Sequence, residues 1–257
     1  MKILAKRFGK DSTKKKKINW KKYFDNLISN EEIIESYKKN GFLDKLLVKN
    51  IRQRIIRIIE KSSFKNIYDC GCGDGSVTGK LVSKERNIIG IDFSSKMCEK
   101  AAEKGIKTIQ IDIKKLTEIP LNNLISANSF SVSKNDCIVF CESLGCLDNP
   151  ESIIEGVLKI NKNLSFVLLS FPNSHSLIRK IVNYFYNNDI TYFSLESIKE
   201  ILNPLSFKIS NLTYIIGIPF IYHLPLIINR KNKFFSNLIE LFVRLVGLNV
   251  IVLFKKN

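Results

Sequence analysis

The chain has 257 residues, enough for a single α/β domain with a substantial core. Hydrophobic residues make up 45% of it and mean hydropathy is near zero, which reads as soluble and globular. The formal net charge of +17 raises nucleic acid or an anionic membrane as partners, but Lys and Arg are spread widely. No aromatic-interleaved basic stripe or RNP-like motif accompanies them, which argues against nucleic acid.

Residues 1–17 read as a basic, flexible tail that includes Lys14, Lys15, Lys16 and Lys17. Its apolar stretch is too short for a secretory signal. Residues 18–62 read as an N-terminal helical extension. Trp20, Tyr23, Phe24 and Leu27 are spaced for one helix face, and Ile51, Ile55, Ile56, Ile58 and Ile59 recur with arginines between them. Residues 63–257 form the main domain. Strand-like runs precede Asp69, then cover Ile88 to Phe93, Lys107 to Ile113, Asn135 to Glu142, Leu164 to Ser170, Phe207 to Ile215 and Asn249 to Phe254. Helical stretches alternate with them, including one opened by Asn149-Pro150-Glu151, one over Ser194 to Leu202 and one over Phe234 to Val246. This alternation predicts a mostly parallel sheet with helices on both faces. An insertion around residues 216–233 reads as a lid. Its stretch Leu212 to Ile228 carries two prolines and a histidine and breaks into short elements rather than a membrane span.

The six cysteines are Cys70, Cys72, Cys98, Cys137, Cys141 and Cys146. They sit mostly on apolar strands or strand ends, where cysteine acts as a small hydrophobe. Neither Cys70/Cys72 nor Cys137/Cys141 has C-x2-C spacing, so no metal site is expected. The lack of a secretory signal fits a reducing cytoplasm.

The most telling run is Ile67-Tyr68-Asp69-Cys70-Gly71-Cys72-Gly73-Asp74-Gly75-Ser76. An apolar strand ends in Asp-x-Gly-x-Gly-x-Gly and a helix-compatible segment follows. Alternate glycines permit a sharp turn and close approach of a ligand to the backbone. A helix N-terminus after such a turn would favour an anion. The dinucleotide pattern G-x-G-x-x-G/A fails here, because Ser76 or Thr78 stands where it needs glycine or alanine. The phosphate-loop pattern fits nowhere in the segment.

This acidic residue plus G-x-G-x-G resembles the class I S-adenosylmethionine-dependent methyltransferases. The resemblance is good over about Phe64 to Ser170. It implies a Rossmann-like seven-stranded sheet whose last strand runs antiparallel between the fifth and sixth. The cofactor it implies is S-adenosyl-L-methionine. Asp69, with Gly71, Cys72, Gly73 and Gly75, would face its amino-acid end, and Asp92 its ribose. Asp112 would face the adenine amino group, with Phe93 and Ile113 near the ring; Met97 and Cys141 complete the expected lining. Residue by residue the alternatives stay open: Asp92 also suits a cap for the helix starting near Ser94, and Asp112 a cap for a turn.

The methyl acceptor is expected beyond the ends of the fourth and fifth strands. After the fourth stands Cys141-Glu142-Ser143-Leu144-Gly145-Cys146. It lacks the N/D-P-P-Y/F of adenine- and glutamine-methylating enzymes. It also lacks the Glu-x-x-Glu-His of quinone O-methyltransferases. After the fifth stands Ser170-Phe171-Pro172-Asn173, which resembles the methionine-biosynthesis MetW group. Candidate catalytic groups are His175, Glu142 and His223, since an O or N acceptor with a held proton needs a base. The expected reaction is methyl transfer to a small-molecule acceptor by SN2 displacement. The lid is apolar and then basic at Arg230, Lys231 and Lys233. That pattern leaves open peripheral contact with an anionic membrane and a lipid-linked acceptor. A non-catalytic cofactor-binding partner is the third reading.

Overall fold

A computed structural model describes residues 42–125, 132–177, 192–216 and 247–257. The expected basic tail, the lid from residue 217, His223 and the helix expected over Phe234 to Val246 lie outside them. The first described helix, α1 (Phe42–Glu60), falls within the expected helical extension.

Seven strands form one sheet in the order β3-β2-β1-β4-β5-β7-β6. They are β1 (Asn66–Cys70), β2 (Asn87–Asp92), β3 (Lys107–Gln110), β4 (Cys137–Cys141), β5 (Phe166–Pro172), β6 (Phe207–Ile216) and β7 (Gly247–Lys256). The first five pair in parallel, while β7 lies antiparallel between β5 and β6. The sheet order reverses between β1 and β4, the place where such folds open a crevice for a ligand.

The inner strands β1, β4 and β5 are buried on both faces because the sheet is covered twice. Successive residues divide between two cores, as the two-residue side-chain period requires. Tyr68, Ile89, Ile138, Leu169 and Val252 enter one core with α4 (Pro150–Ile160) and α5 (Leu195–Leu202). Ile67, Ile88, Val139, Leu168 and Ile251 enter the other, under Ile51, Ile55, Ile58 and Ile59 of α1. Two further helices, α2 (Ser95–Ala102) and α3 (Leu121–Ile125), complete the described set.

Local differences from expectation have local causes. The segment after the glycine turn is a short 3-10 turn, Thr78–Leu81, rather than an α-helix. A full helix dipole therefore does not point at the turn. The third strand stops at Gln110, because Asp112 caps a second 3-10 turn, Ile113–Thr117, by accepting a hydrogen bond from the Lys114 amide at 3.0 Å. At the start of α4, Pro150 occupies the first turn, but Asn149 sits in the left-handed region and its side chain makes no cap bond. Ser194 does cap α5, accepting from the Ser197 amide at 2.9 Å.

Candidate active site

Most of the described candidate residues lie at the carboxyl ends of β1, β2 and β4, with Asp112 and Ile113 after β3 and His175 after β5. Cys70 leads into Gly71, whose φ of +81° is a left-handed conformation that favours glycine. A Cβ there would stand 2.5 Å from Ser143 Cβ and 3.4 Å from Ile113 Cδ1. Gly71 is thus the point where the ends of three elements meet. Ser143 fastens the same corner, its hydroxyl donating to the Cys70 carbonyl at 2.7 Å. Gly73 also has a positive φ, but a Cβ there would meet nothing within 4 Å. The turn therefore offers bare backbone toward open space at that residue.

Asp92 binds the turn from β2. One carboxylate oxygen accepts from the Gly73 amide at 3.0 Å and the other from the Ser94 amide at 2.9 Å. The cap of α2 is Ser94 itself, which accepts from the Met97 amide at 3.4 Å. Asp92 therefore braces the approach to the helix rather than capping it.

The turn's own amides are largely committed. Gly71 and Cys72 both donate to the Ile91 carbonyl, at 2.7 and 3.2 Å. Gly75 donates to the Cys72 carbonyl and Ser76 to the Asp74 side chain. The Cys72 side chain turns inward, its sulfur 2.8 Å from where a Cβ on Gly90 would stand.

Asp69 is 2% exposed and lies beneath the turn. One of its oxygens accepts from the Thr78 hydroxyl at 2.7 Å, while Oδ1 is buried with no hydrogen-bond partner. Burial pushes its pKa up to about 7, the Thr78 hydrogen bond opposing and the Asp92 charge adding to the rise.

The remaining expected lining divides by burial. Met97, Ile113 and Cys141 are buried, whereas Phe93 is half-buried and Asp112 exposed. Burial and the neighbouring Glu142 and Asp69 charges push the Cys141 thiol up, so it is no thiolate nucleophile.

Glu142 follows β4 with a φ of 57°, a left-handed conformation rare for a residue with a side chain. Its carboxylate accepts from Arg52 Nε of α1 at 3.1 Å and keeps 23% side-chain exposure. Burial raises its pKa while the Arg52 charge and hydrogen bond resist. His175, half-buried after β5, has its Nε2 3.3 Å from Glu196 Oε2 of α5. Glu142 thus joins the glycine turn through its neighbour Ser143, and His175 pairs on the α5 side.

Arg52, Thr78 and Ser143 carry much of this geometry and were not among the candidates from sequence. Arg52 stands 90 residues before Glu142, and nothing local in sequence couples them. Thr78 had one available signal: it falls within the first turn after the glycines.

Residues 68–163 match a family model described as a methyltransferase domain. An uncharacterized methyltransferase of Schizosaccharomyces pombe is 38% identical over 89 residues, 34% of this chain and 33% of that protein's length. Among solved structures, magnesium protoporphyrin IX methyltransferase of Synechocystis PCC 6803, with bound SAH, superposes with a TM-score of 0.57. The identity is 13%, and the match covers 93% of this chain and 98% of that one. A SAM-dependent methyltransferase of Archaeoglobus fulgidus has a TM-score of 0.57 at 19% identity, covering 87% and 99%. At these identities the structural matches establish the fold.

Proposed function

From the premise that this chain belongs, through residues 68–163, to the class I S-adenosylmethionine-dependent methyltransferases, we propose that it transfers the methyl group of S-adenosylmethionine to a small-molecule acceptor. The observation that carries this reading is the corner at Gly71, Gly73 and Asp92, where open backbone lies beside a braced carboxylate.

The residues present fit the cofactor. Asp92 ends β2 beside the turn, where ribose hydroxyls would meet a carboxylate, and exposed Asp112 retains acceptor capacity beside buried Ile113 for an adenine edge. The partnerless buried oxygen of Asp69 supplies negative charge beneath the turn, suited to a cationic amino-acid end. The committed turn amides make this corner better matched to a cation than to a phosphate. When bound, the cofactor supplies an electrophilic methyl on a sulfonium that leaves as a neutral thioether.

What the protein adds is alignment, exclusion of water and a proton acceptor. Glu142 is the better placed acceptor of a substrate proton, since it adjoins the turn and keeps partial exposure. Arg52 holds its carboxylate in one orientation. His175, whose Nε2 lies 3.3 Å from Glu196 Oε2, is the second candidate.

Calorimetry with S-adenosylmethionine on wild type and Asp92→Ala tests the reading. Loss of hydrogen bonds to a charged acceptor should weaken binding at least about tenfold. Thermal melting of both proteins controls for loss of fold. Unchanged affinity would remove the ribose assignment, and labelled methyl donor in metabolite extracts would then identify the acceptor if binding holds.

A further inference from the structure

A cavity of about 630 Å³ lies between α1 and the segment that follows the glycine turn. It borders Gly75 and Ser76 of the turn but takes in none of Asp92, Asp112 or Ile113. Four cations line it: Lys49 and Arg52 from α1, Lys80 from the 3-10 turn, and Lys104 after α2. Val48 and Ile56 add apolar wall. No carboxylate stands among its described lining residues.

Two of the four cations have carboxylate partners close by. Arg52 binds Glu142 at 3.1 Å, and Lys104 Nζ binds Asp74 at 2.9 Å and also donates to the Asp74 carbonyl at 2.6 Å. Lys49 and Lys80 are exposed and make no ion pair among the described residues. The cavity therefore carries uncompensated positive charge on a concave wall, where field lines concentrate. Gly79 lets Lys104 pack closely at its edge: a Cβ there would stand 3.0 Å from Lys104 Cβ.

We propose that this cavity takes the anionic group of the methyl acceptor, an oxyanion (phosphate or carboxylate) borne on an apolar body. The assignment rests on the methyltransferase reading above and narrows its substrate class. Arg52 is the physical link. It lines the cavity and grips Glu142, so an oxyanion held by Lys49, Lys80 and Arg52 places the rest of the molecule toward the candidate proton acceptor. The apolar wall takes the body, while the cations set its orientation.

Calorimetry on the full chain tests this with phenyl phosphate and benzoate as probes, one for each oxyanion source. Each is titrated with and without saturating S-adenosylhomocysteine. The expected result is saturable single-site binding of at least one probe, altered less than about twofold by S-adenosylhomocysteine. Binding should weaken at least about tenfold in the double variant Lys49→Ala/Lys80→Ala, with its S-adenosylhomocysteine affinity unchanged. The stronger probe identifies the oxyanion. Absence of saturable binding, or equal affinity in the double variant, would overturn the proposal. Displacement of the probe by S-adenosylhomocysteine would also overturn it, by making the cavity the cofactor's own carboxylate subsite. Probe binding in a wild-type protein that fails to bind S-adenosylhomocysteine would support the anion site and sink the methyltransfer reading instead.

Discussion

Asp69 concentrates the electrostatic tension of the site in one side chain. Its carboxyl has a pKa near 7 in the fold, against an ordinary value of 3.8. An acid whose pKa rises on folding is destabilising once ionised. Below about pH 4 both states are protonated and no penalty exists. Between about 4 and 7 the unfolded chain ionises first, so stability falls as pH rises, and above 7 the penalty is complete. The ligand-free protein should therefore unfold at higher denaturant near pH 5 than near pH 7.5, and Asp69→Asn should flatten that difference. A cation bound near Asp69 would lower its pKa, so binding of S-adenosylmethionine near pH 6.5 should release a fraction of a proton. The measurement is the dependence of calorimetric enthalpy on buffer ionisation heat, and a dependence that survives in Asp69→Asn would refute the assignment.

The two neighbouring glycines should separate fold from binding. Alanine at Gly71 meets both a left-handed φ and Ser143 Cβ at 2.5 Å. It should cost about 2–5 kcal/mol in chemical denaturation. Alanine at Gly73 carries only the backbone strain, about 1–2 kcal/mol, because its methyl would enter open space. That open space is the proposed ligand face, so Gly73→Ala should keep the fold and lose affinity for S-adenosylhomocysteine. Equal affinity in a folded Gly73→Ala protein would move the ligand off this turn.

Among elements, β7 has the largest structural responsibility. It fills the gap between β5 and β6, pairing from Asn249 to Lys255 with the first and from Gly247 to Lys256 with the second. Val250, Ile251, Val252 and Phe254 are wholly buried. A chain ending at residue 246 would leave two strands with unpaired edges and two cores open, so it should show no cooperative thermal transition by circular dichroism. At the opposite ends of the strands, Asp136 ties β1 to β4. Its buried carboxylate accepts from Asn66 Nδ2, the Tyr68 hydroxyl and Ser133. Burial, then the Asp136 charge, push the Tyr68 pKa upward, so that phenol stays protonated and remains a donor. This network sits at the amino ends of β1 and β4, away from the strand ends that build the site, and its role is to set the register of the central pair.

Across the whole molecule, the widely spread lysines gain a local meaning only where the fold gathers them. Lys49 and Arg52 of α1, Lys80 of the 3-10 turn and Lys104 after α2 come from three separate parts of the chain and converge on one cavity. No described helix is long and apolar enough to cross a membrane. No cluster of metal-ligating side chains occurs among the described residues, and all six cysteines are free.

The strand periods, the glycine turn and the acids at strand ends are local properties of covalent sequence. They were enough to place the seven strands, while the antiparallel position of the last one came from the resemblance to the methyltransferases. Side-chain pairing across long separations is not local. That Arg52 would grip Glu142, that Ser143 would fasten β1, and that the turn's amides would be consumed by Ile91 and Asp92 follow from the three-dimensional meeting of strand ends. Hydrophobic periodicity encodes which face of an element is buried. Only packing decides which polar groups are left facing one another once the burial is complete.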